Sequence, residues 1–240
     1  MGNHRSITAS HDRAWAELAT PGAALSGNER VAIAEELRAA RTCKLCAARK
    51  SALSASAVPG RHDVRTENMS SARIELIHKL VTDPGRITRV WVDALMTDGM
   101  TDIEYVEIAG LVSAVLVVDT FHAAMGMSLR SLPEPVAGAP SGARPRTAES
   151  EDAYVPMVPV DGLADDYADL YDTRHWVPNV HRAFSLVPAA TRLASDLMRS
   201  HYFPYDLVPR YTDADHDYPI NKMQIELVAS RVSLNNDCFY

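Results

Sequence analysis

The chain has 240 residues, of which 47% are hydrophobic, so it can bury one substantial core or two small ones. Its net charge is −7 and it contains no block of Lys or Arg, which argues against nucleic acid as a main partner. The N-terminus lacks the apolar segment of a signal peptide, and the longest apolar run, at 111–118, is shorter than a membrane span. Three cysteines do not form the disulfide framework of a secreted protein. These features predict a cytoplasmic protein without a membrane partner.

Helical periodicity dominates the chain and strand signals are sparse, so the predicted fold is all-α. After an N-terminal extension (1–25), in which Trp15 and Leu18 dock as a short helix, Ser26 and Glu29 form a capping box. Thr101 and Glu104 repeat this signal before the longest and most apolar helix. Helices are expected at residues 29–41, 43–53, 72–81, 86–99, 102–125, 188–200 and 220–235.

Two segments of the chain resemble each other. Residues 29–46 (ERVAIAEELRAARTCKLC) and 224–240 (QIELVASRVSLNNDCFY) both run from a helical apolar pattern to a cysteine. Aligning Cys43 with Cys238 places Ile33, Ala34 and Leu37 over Val228, Ala229 and Val232. Such internal repetition predicts two related helical lobes, at 26–130 and 175–240, joined by a Pro/Gly-rich linker or strap at 131–174.

The first lobe carries a Cys-x-x-Cys pair at Cys43 and Cys46. At this spacing the two thiols share one face of a helix, and the helix N-terminus with the nearby cations of Lys44, Arg49 and Lys50 favours the thiolate. A thiolate oxidised to sulfenic acid can then condense with its neighbour to a disulfide. The alternatives are half of a zinc site or two packed core thiols.

A zinc site needs two further ligands at matching spacing. His62 lies sixteen residues after Cys46 and stands alone in this part of the sequence, so no metal site is predicted. The sequence has no phosphate loop and no dinucleotide-binding fingerprint, and no organic cofactor is predicted.

Several segments resemble the alkylhydroperoxidase D-like branch of the carboxymuconolactone decarboxylase family. The Cys-x-x-Cys follows a glutamate-bearing helix, as in that family's motif, and WVPNVHRAFSLVP (176–188) and IELVASRVSLNNDCFY (225–240) resemble the stretch leading into it. The segment LMTDGMTDIEYVEIAGLVSAVLVVDTFHAAMGM (95–127) resembles the helical hairpin that follows it. The resemblance implies an all-helical fold, homo-oligomers, and thiol-dependent peroxidase activity that reduces hydroperoxides with electrons from an external dithiol reductant.

By this resemblance Cys46 is the peroxidatic cysteine and Cys43 the resolving one. The position of the family's relay histidine holds Lys50, and the position of its glutamate holds Val31, with Glu29, Glu35 and Glu36 close by. Asp119 and His122, three residues apart in the apolar helix, permit a carboxylate–imidazole pair. The spacing favours a hydrogen-bonded histidine in the core or between the lobes, and His122 is also the first candidate for a substitute base near Cys46.

In the second lobe Glu226 lies twelve residues before Cys238, which is the position of the family's glutamate. The remaining cysteine and histidine of the motif would lie beyond Tyr240, so this chain is expected to be an incomplete version of its protein. Two alternative functions remain at this stage: a cofactor-free decarboxylase-like enzyme that does not use cysteine redox chemistry, and a non-catalytic helical scaffold.

Overall fold

A computed structural model describes residues 3–161, 163, 167–171, 177–202, 219–236 and 238. The protein is 57% helical and contains no strand within these residues, which confirms the predicted all-α fold. The turn-rich segment 203–218, Trp176 and the last two aromatic residues lie outside the described ranges. The helices are α1 (Asn3–Ala19), α2 (Gly27–Ala40), α3 (Lys44–Ser51), α4 (Ser71–Thr82), α5 (Arg89–Thr97), α6 (Asp102–Ala124), α7 (Asn179–Arg182), α8 (Pro188–His201) and α9 (Lys222–Asn235).

Side-chain caps fix where the principal helices begin. Ser26 and Glu29 form a complete capping box at the start of α2, and Thr101 and Glu104 form another at the start of α6. Each box satisfies backbone N–H groups that have no partner inside the helix. Both capping boxes were predicted from the sequence and are confirmed.

The core is organised around α6, which packs against α2, α4 and α8. Its apolar side chains face the fully buried Ile33 and Leu37 of α2 and Leu76 and Ile77 of α4. This packing also encloses an ion pair between Arg30 on α2 and Glu107 on α6, with Nη1 2.5 Å from Oε1. The packing of α2 and α4 against each other and against α6 brings together the elements that carry the candidate site.

Helix α6 is long and apolar enough, by length and composition, to cross a membrane. The length of the apolar segment predicted from residues 111–118 was therefore too short, because Asp119 and His122 do not interrupt the helix. In the apolar window of α6, 67% of the residues are buried inside the protein. The core helix of a soluble protein has the same properties.

The N-terminal region differs from its prediction. In place of a short docked helix, α1 has 17 residues, and Ala14, Trp15 and Leu18 belong to the main core.

Residues 131–153 form no helix and run against the turn after α1. The Val136 N–H donates to the Ala19 carbonyl and the Ser141 N–H to the Gly22 carbonyl, each at 2.9 Å.

The two segments aligned on their cysteines are both helical but differ in burial. Ile33, Ala34 and Leu37 of α2 are buried, whereas Val228 and Val232 of α9 are 58% and 54% exposed. The shared apolar pattern therefore does not correspond to a shared core position within the described residues.

Candidate functional site

The two cysteines lie at the start of α3. Cys43 is the N-cap residue, but its side chain makes no capping hydrogen bond. The carboxylate of Asp63 accepts a hydrogen bond from the Lys44 N–H (3.0 Å) instead, so the Cys43 sulfur faces inward. Cys46 follows in the first helical turn, and both thiols are buried and unpaired by a disulfide. The predicted proximity of the two cysteines is confirmed, since their sulfurs lie within 4.8 Å of each other.

Two histidines that are distant in sequence contact these sulfurs. Nδ1 of His62, from the loop before α4, lies 3.6 Å from Sγ of Cys43 and 3.3 Å from Sγ of Cys46. Nδ1 of His78, on α4, lies 3.2 Å from Sγ of Cys46. The imidazole rings are adjacent, with centroids 4.1 Å apart. We refer to Cys43, Cys46, His62 and His78 as the Cys/His cluster.

A carboxylate anchors the far nitrogen of each histidine. Nε2 of His78 lies 2.9 Å from Oε1 of Glu36, and both side chains are completely buried. Nε2 of His62 lies 2.8 Å from Oε2 of Glu75, a carboxylate that also pairs with Arg49 at 3.1 Å. Because a carboxylate accepts hydrogen bonds, each Nε2 carries a proton and each Nδ1 is directed at sulfur.

Glu36 also fixes the loop that carries His62. Its Oε2 accepts hydrogen bonds from the N–H groups of Arg65 and Thr66 (each 2.9 Å) and from the Thr66 hydroxyl (2.8 Å). Burial raises the pKa of Glu36, but the hydrogen bonds from His78 and from residues 65–66 outweigh burial and lower the pKa below its usual value. The carboxylate is therefore ionised at neutral pH and holds α2, α4 and the loop together.

The two histidines have opposite pKa shifts. Burial lowers the pKa of His62, but its hydrogen bonds with Cys46, Glu75 and Cys43 outweigh burial and raise the pKa to about 10. Burial lowers the pKa of His78, and the adjacent His62 lowers it further, against the hydrogen bond to Glu36. At neutral pH His62 is thus an imidazolium, while His78 is neutral with a free electron pair on Nδ1 facing Cys46.

Electrostatics also favour the Cys43 thiolate. Burial raises the pKa of the Cys43 thiol, but the nearby backbone N–H groups of Cys46 and Asp63 and the hydrogen bond with His62 outweigh burial and lower the pKa. Glu75, which bonds the nitrogen of His62 that points away from the sulfurs, also has a shifted pKa. The hydrogen bond with His62 and the charge of Arg49 lower the pKa of Glu75 to about 2, so its carboxylate is ionised throughout the physiological pH range.

A cavity of about 330 Å³ opens beside the Cys/His cluster. Cys46, His62 and Glu75 line it, together with Arg49, Lys79 and Trp91, whereas Cys43 and His78 are not among the lining residues. A small molecule in this cavity would lie against Cys46 and His62.

The other predicted site residues lie elsewhere. Glu226, on α9, accepts a hydrogen bond from the Tyr202 hydroxyl at 2.7 Å, and Cys238 is exposed beyond the end of α9. Nδ1 of His122 bonds the Ser128 carbonyl at 2.7 Å, and its ring lies 5.7 Å from that of His11. The carboxylate of Asp119 is occupied by Arg38, with contacts of 2.8 and 3.0 Å.

The histidines that contact Cys46 are thus His62 and His78, and the structure provides no such contact for His122. One sequence signal could have identified part of the site: Glu75 and His78 lie three residues apart, on one face of α4.

Comparison of the chain with protein-family models, with curated proteins and with solved structures finds no match. The resemblance to the alkylhydroperoxidase D-like family therefore stays a prediction.

Proposed function

We propose that this protein is a thiol-dependent peroxidase that reduces small hydroperoxides through Cys46 and Cys43. One observation carries the proposal: Cys46 lines a cavity and its sulfur contacts two histidines, each anchored by a carboxylate. Pairs of titratable groups with opposite pKa shifts are typical of acid–base catalysis. A pair of packed core thiols needs neither the histidines nor the cavity.

In the first step Cys46 is the nucleophile. Nδ1 of His78 accepts the thiol proton, and the thiolate attacks the terminal oxygen of the hydroperoxide. The S–O bond forms as the O–O bond breaks, and the leaving alkoxide takes a proton from Nδ1 of His62, which lines the cavity. The products are a sulfenic acid on Cys46 and an alcohol, so the peroxide gains the two electrons that the sulfur loses.

In the second step Cys43 resolves the intermediate. Its thiolate attacks the Cys46 sulfur, and the S–S bond forms as the S–O bond breaks. The leaving hydroxide takes from Nδ1 of His78 the proton that this atom accepted in the first step, and departs as water. The sulfurs start within 4.8 Å of each other and approach to the disulfide length of about 2.05 Å. An external dithiol reductant then restores both thiols by exchange.

The same proposal includes three wider properties. The internal repeat predicts two related lobes joined by residues 131–174, the composition predicts a cytoplasmic location, and the resemblance to the alkylhydroperoxidase D-like family implies self-association. The family's glutamate–histidine relay would here be provided by Glu36 and His78. The sequence had predicted Glu226 for the second lobe and, separately, His122 as a substitute base near Cys46.

The test is reaction of the reduced, metal-free protein with hydrogen peroxide, followed by trapping with a sulfenic-acid reagent and by mass spectrometry. We expect Cys46→Ser to abolish trapping and Cys43→Ser to accumulate trapped Cys46, while Cys238→Ser behaves as wild type. Cys43–Cys46 disulfide formation no faster than the oxidation of a free dithiol would overturn the proposal and favour a scaffold. A decarboxylase-like enzyme, in contrast, would keep its activity in both serine variants.

A further inference from the structure

The Cys/His cluster also has the composition of a metal site. Its two sulfurs and two Nδ1 atoms all lie within 4.8 Å of one another and converge on one point from three elements: the start of α3, the loop before α4, and α4. Thiolate and imidazole ligands in a tetrahedral arrangement select Zn²⁺ among the common divalent ions.

The distances within the cluster fit a tetrahedron around zinc. Zn–S bonds of about 2.3 Å and Zn–N bonds of about 2.0 Å place neighbouring sulfur and nitrogen ligands roughly 3.5 Å apart. The sulfur–nitrogen distances are 3.6 Å from Cys43 to His62, 3.3 Å from Cys46 to His62 and 3.2 Å from Cys46 to His78. These three pairs need movements of only a few tenths of an ångström, and the other three ligand pairs lie within 4.8 Å.

The surroundings of the ligands are also those of a metal site. Zinc-bound histidines donate their other N–H group to a carboxylate, which fixes the ring and increases its basicity. Both histidines have this partner: Glu36 for His78 at 2.9 Å and Glu75 for His62 at 2.8 Å. The outer carboxylates and the two thiolates together supply the negative charge that a divalent cation requires.

We propose that the reduced protein binds one Zn²⁺ through Cys43, Cys46, His62 and His78, and that zinc binding and formation of the Cys43–Cys46 disulfide exclude each other. Oxidation removes the thiolate charge that binds the metal, and the S–S bond of about 2.05 Å is far shorter than the roughly 3.8 Å between two sulfurs on one tetrahedral zinc. Zinc binding stands independently of the proposed peroxidase activity, because it requires only the four ligands, whereas the mutual exclusion concerns any oxidation of the pair.

The test of binding uses Co²⁺ as a spectroscopic probe, without peroxide. Reduced, metal-free protein is titrated at about pH 8, where metal competes well with the protons on thiols and imidazoles. We expect the visible bands of tetrahedral Co²⁺ and a thiolate-to-cobalt charge-transfer band, both saturating at one equivalent and disappearing when Zn²⁺ is added. Absence of these bands, or saturation at another stoichiometry, would overturn the site.

Variants assign the ligands. Cys43→Ser and Cys46→Ser should each lose charge-transfer intensity, and His62→Asn and His78→Asn should each weaken binding, whereas Cys238→Ser should match wild type. Glu36→Gln and Glu75→Gln retain all four ligands and should weaken binding by about 10–100-fold. Circular dichroism establishes that each variant is folded, and a folded Cys46→Ser protein with unchanged bands would refute the assignment.

Mutual exclusion is tested by two further measurements on the wild-type protein. The disulfide form should give no cobalt bands, and zinc-loaded protein should form the disulfide more slowly than metal-free protein under the same oxidant. Equal rates, or cobalt bands in the oxidised form, would refute it. Failure of the metal-free protein to react with peroxide would count against the peroxidase proposal alone.

Discussion

Replacing Glu36 with glutamine should reverse the tautomer of His78 and thereby remove the base for Cys46. The Glu36 carboxylate accepts three hydrogen bonds from residues 65–66 on Oε2 and one from His78 on Oε1. A glutamine keeps the three donors only by placing its amide oxygen toward the loop. Its NH₂ group then faces Nε2 of His78, so the ring proton moves to Nδ1 and points at sulfur.

A histidine with its proton on Nδ1 cannot accept the Cys46 proton. Since positioned proton transfer contributes about 10²–10⁴-fold to rates, we expect the second-order rate constant with hydrogen peroxide to fall by roughly 10²-fold. Loss of the charged hydrogen bonds should lower the free energy of unfolding by about 2 kcal/mol, which is roughly 4–8 °C in melting temperature for a chain of this size.

The assay is stopped-flow measurement of thiol oxidation, together with NMR of the imidazole nitrogens, which reports the tautomer directly. Glu35→Gln is the matched control: Glu35 is half exposed and pairs with Arg65 at 3.6 Å, so neither rate nor stability should change. A Glu36→Gln protein that is less stable but oxidises at the wild-type rate would refute the role of His78 as base.

Three further outcomes are expected. Burial, then the neighbouring His201 and His122, lower the pKa of His11 to about 4, so between pH 6.5 and 4 the unfolded chain binds more protons than the folded chain. The contribution of neutral His11 to the free energy of unfolding should therefore be fully present above pH 6.5 and decrease on acidification to pH 4 by on the order of 2–3 kcal/mol. Urea titrations at each pH should show a weaker pH dependence of the free energy of unfolding for His11→Gln. Glu107→Ala removes the buried partner of Arg30 Nη1, while Nη2 keeps its contacts with Glu17 at 2.9 and 3.1 Å, so the variant should cost about 3 kcal/mol in the same assay. A loss under about 1 kcal/mol would show that the pair is not buried as described. Zinc at a hundred times its dissociation constant should stabilise the reduced protein by about 2.7 kcal/mol in thermal melts, and an equal shift in Cys46→Ser would show that the metal binds elsewhere.

The sequence predicted the helices well where local signals determine them. The capping boxes at Ser26 and Thr101 lie next to the chain they control, so they are readable without tertiary information. Helix α1 was underestimated because its polar composition hides the spacing of its buried residues. His11, Ala14, Trp15 and Leu18 recur at three- and four-residue intervals, which is the period of a helix with one buried face.

The two cysteines of the site could be predicted from the sequence, whereas its two histidines could not. Cys43 and Cys46 share one helical turn, so their proximity follows from local geometry. His62 and His78 lie sixteen and thirty-two residues after Cys46, and they reach it only because the loop folds back and α4 packs beside α3. No local pattern encodes that packing, so the sequence favoured His122 on the apolar helix, which in the structure bonds the Ser128 carbonyl.

The loop of residues 52–70 has little apolar anchorage. The thiols, with Leu45 and Val58, form a small cluster separate from the main core, so the loop depends on polar contacts through His62 and Glu36. Segments with few buried apolar contacts open locally at a free energy below that of global unfolding. The amides of Arg65 and Thr66 donate to Glu36, the same carboxylate that orients His78. A change in the oxidation or metal-binding state of the two sulfurs should consequently change the hydrogen-exchange rates of these two amides.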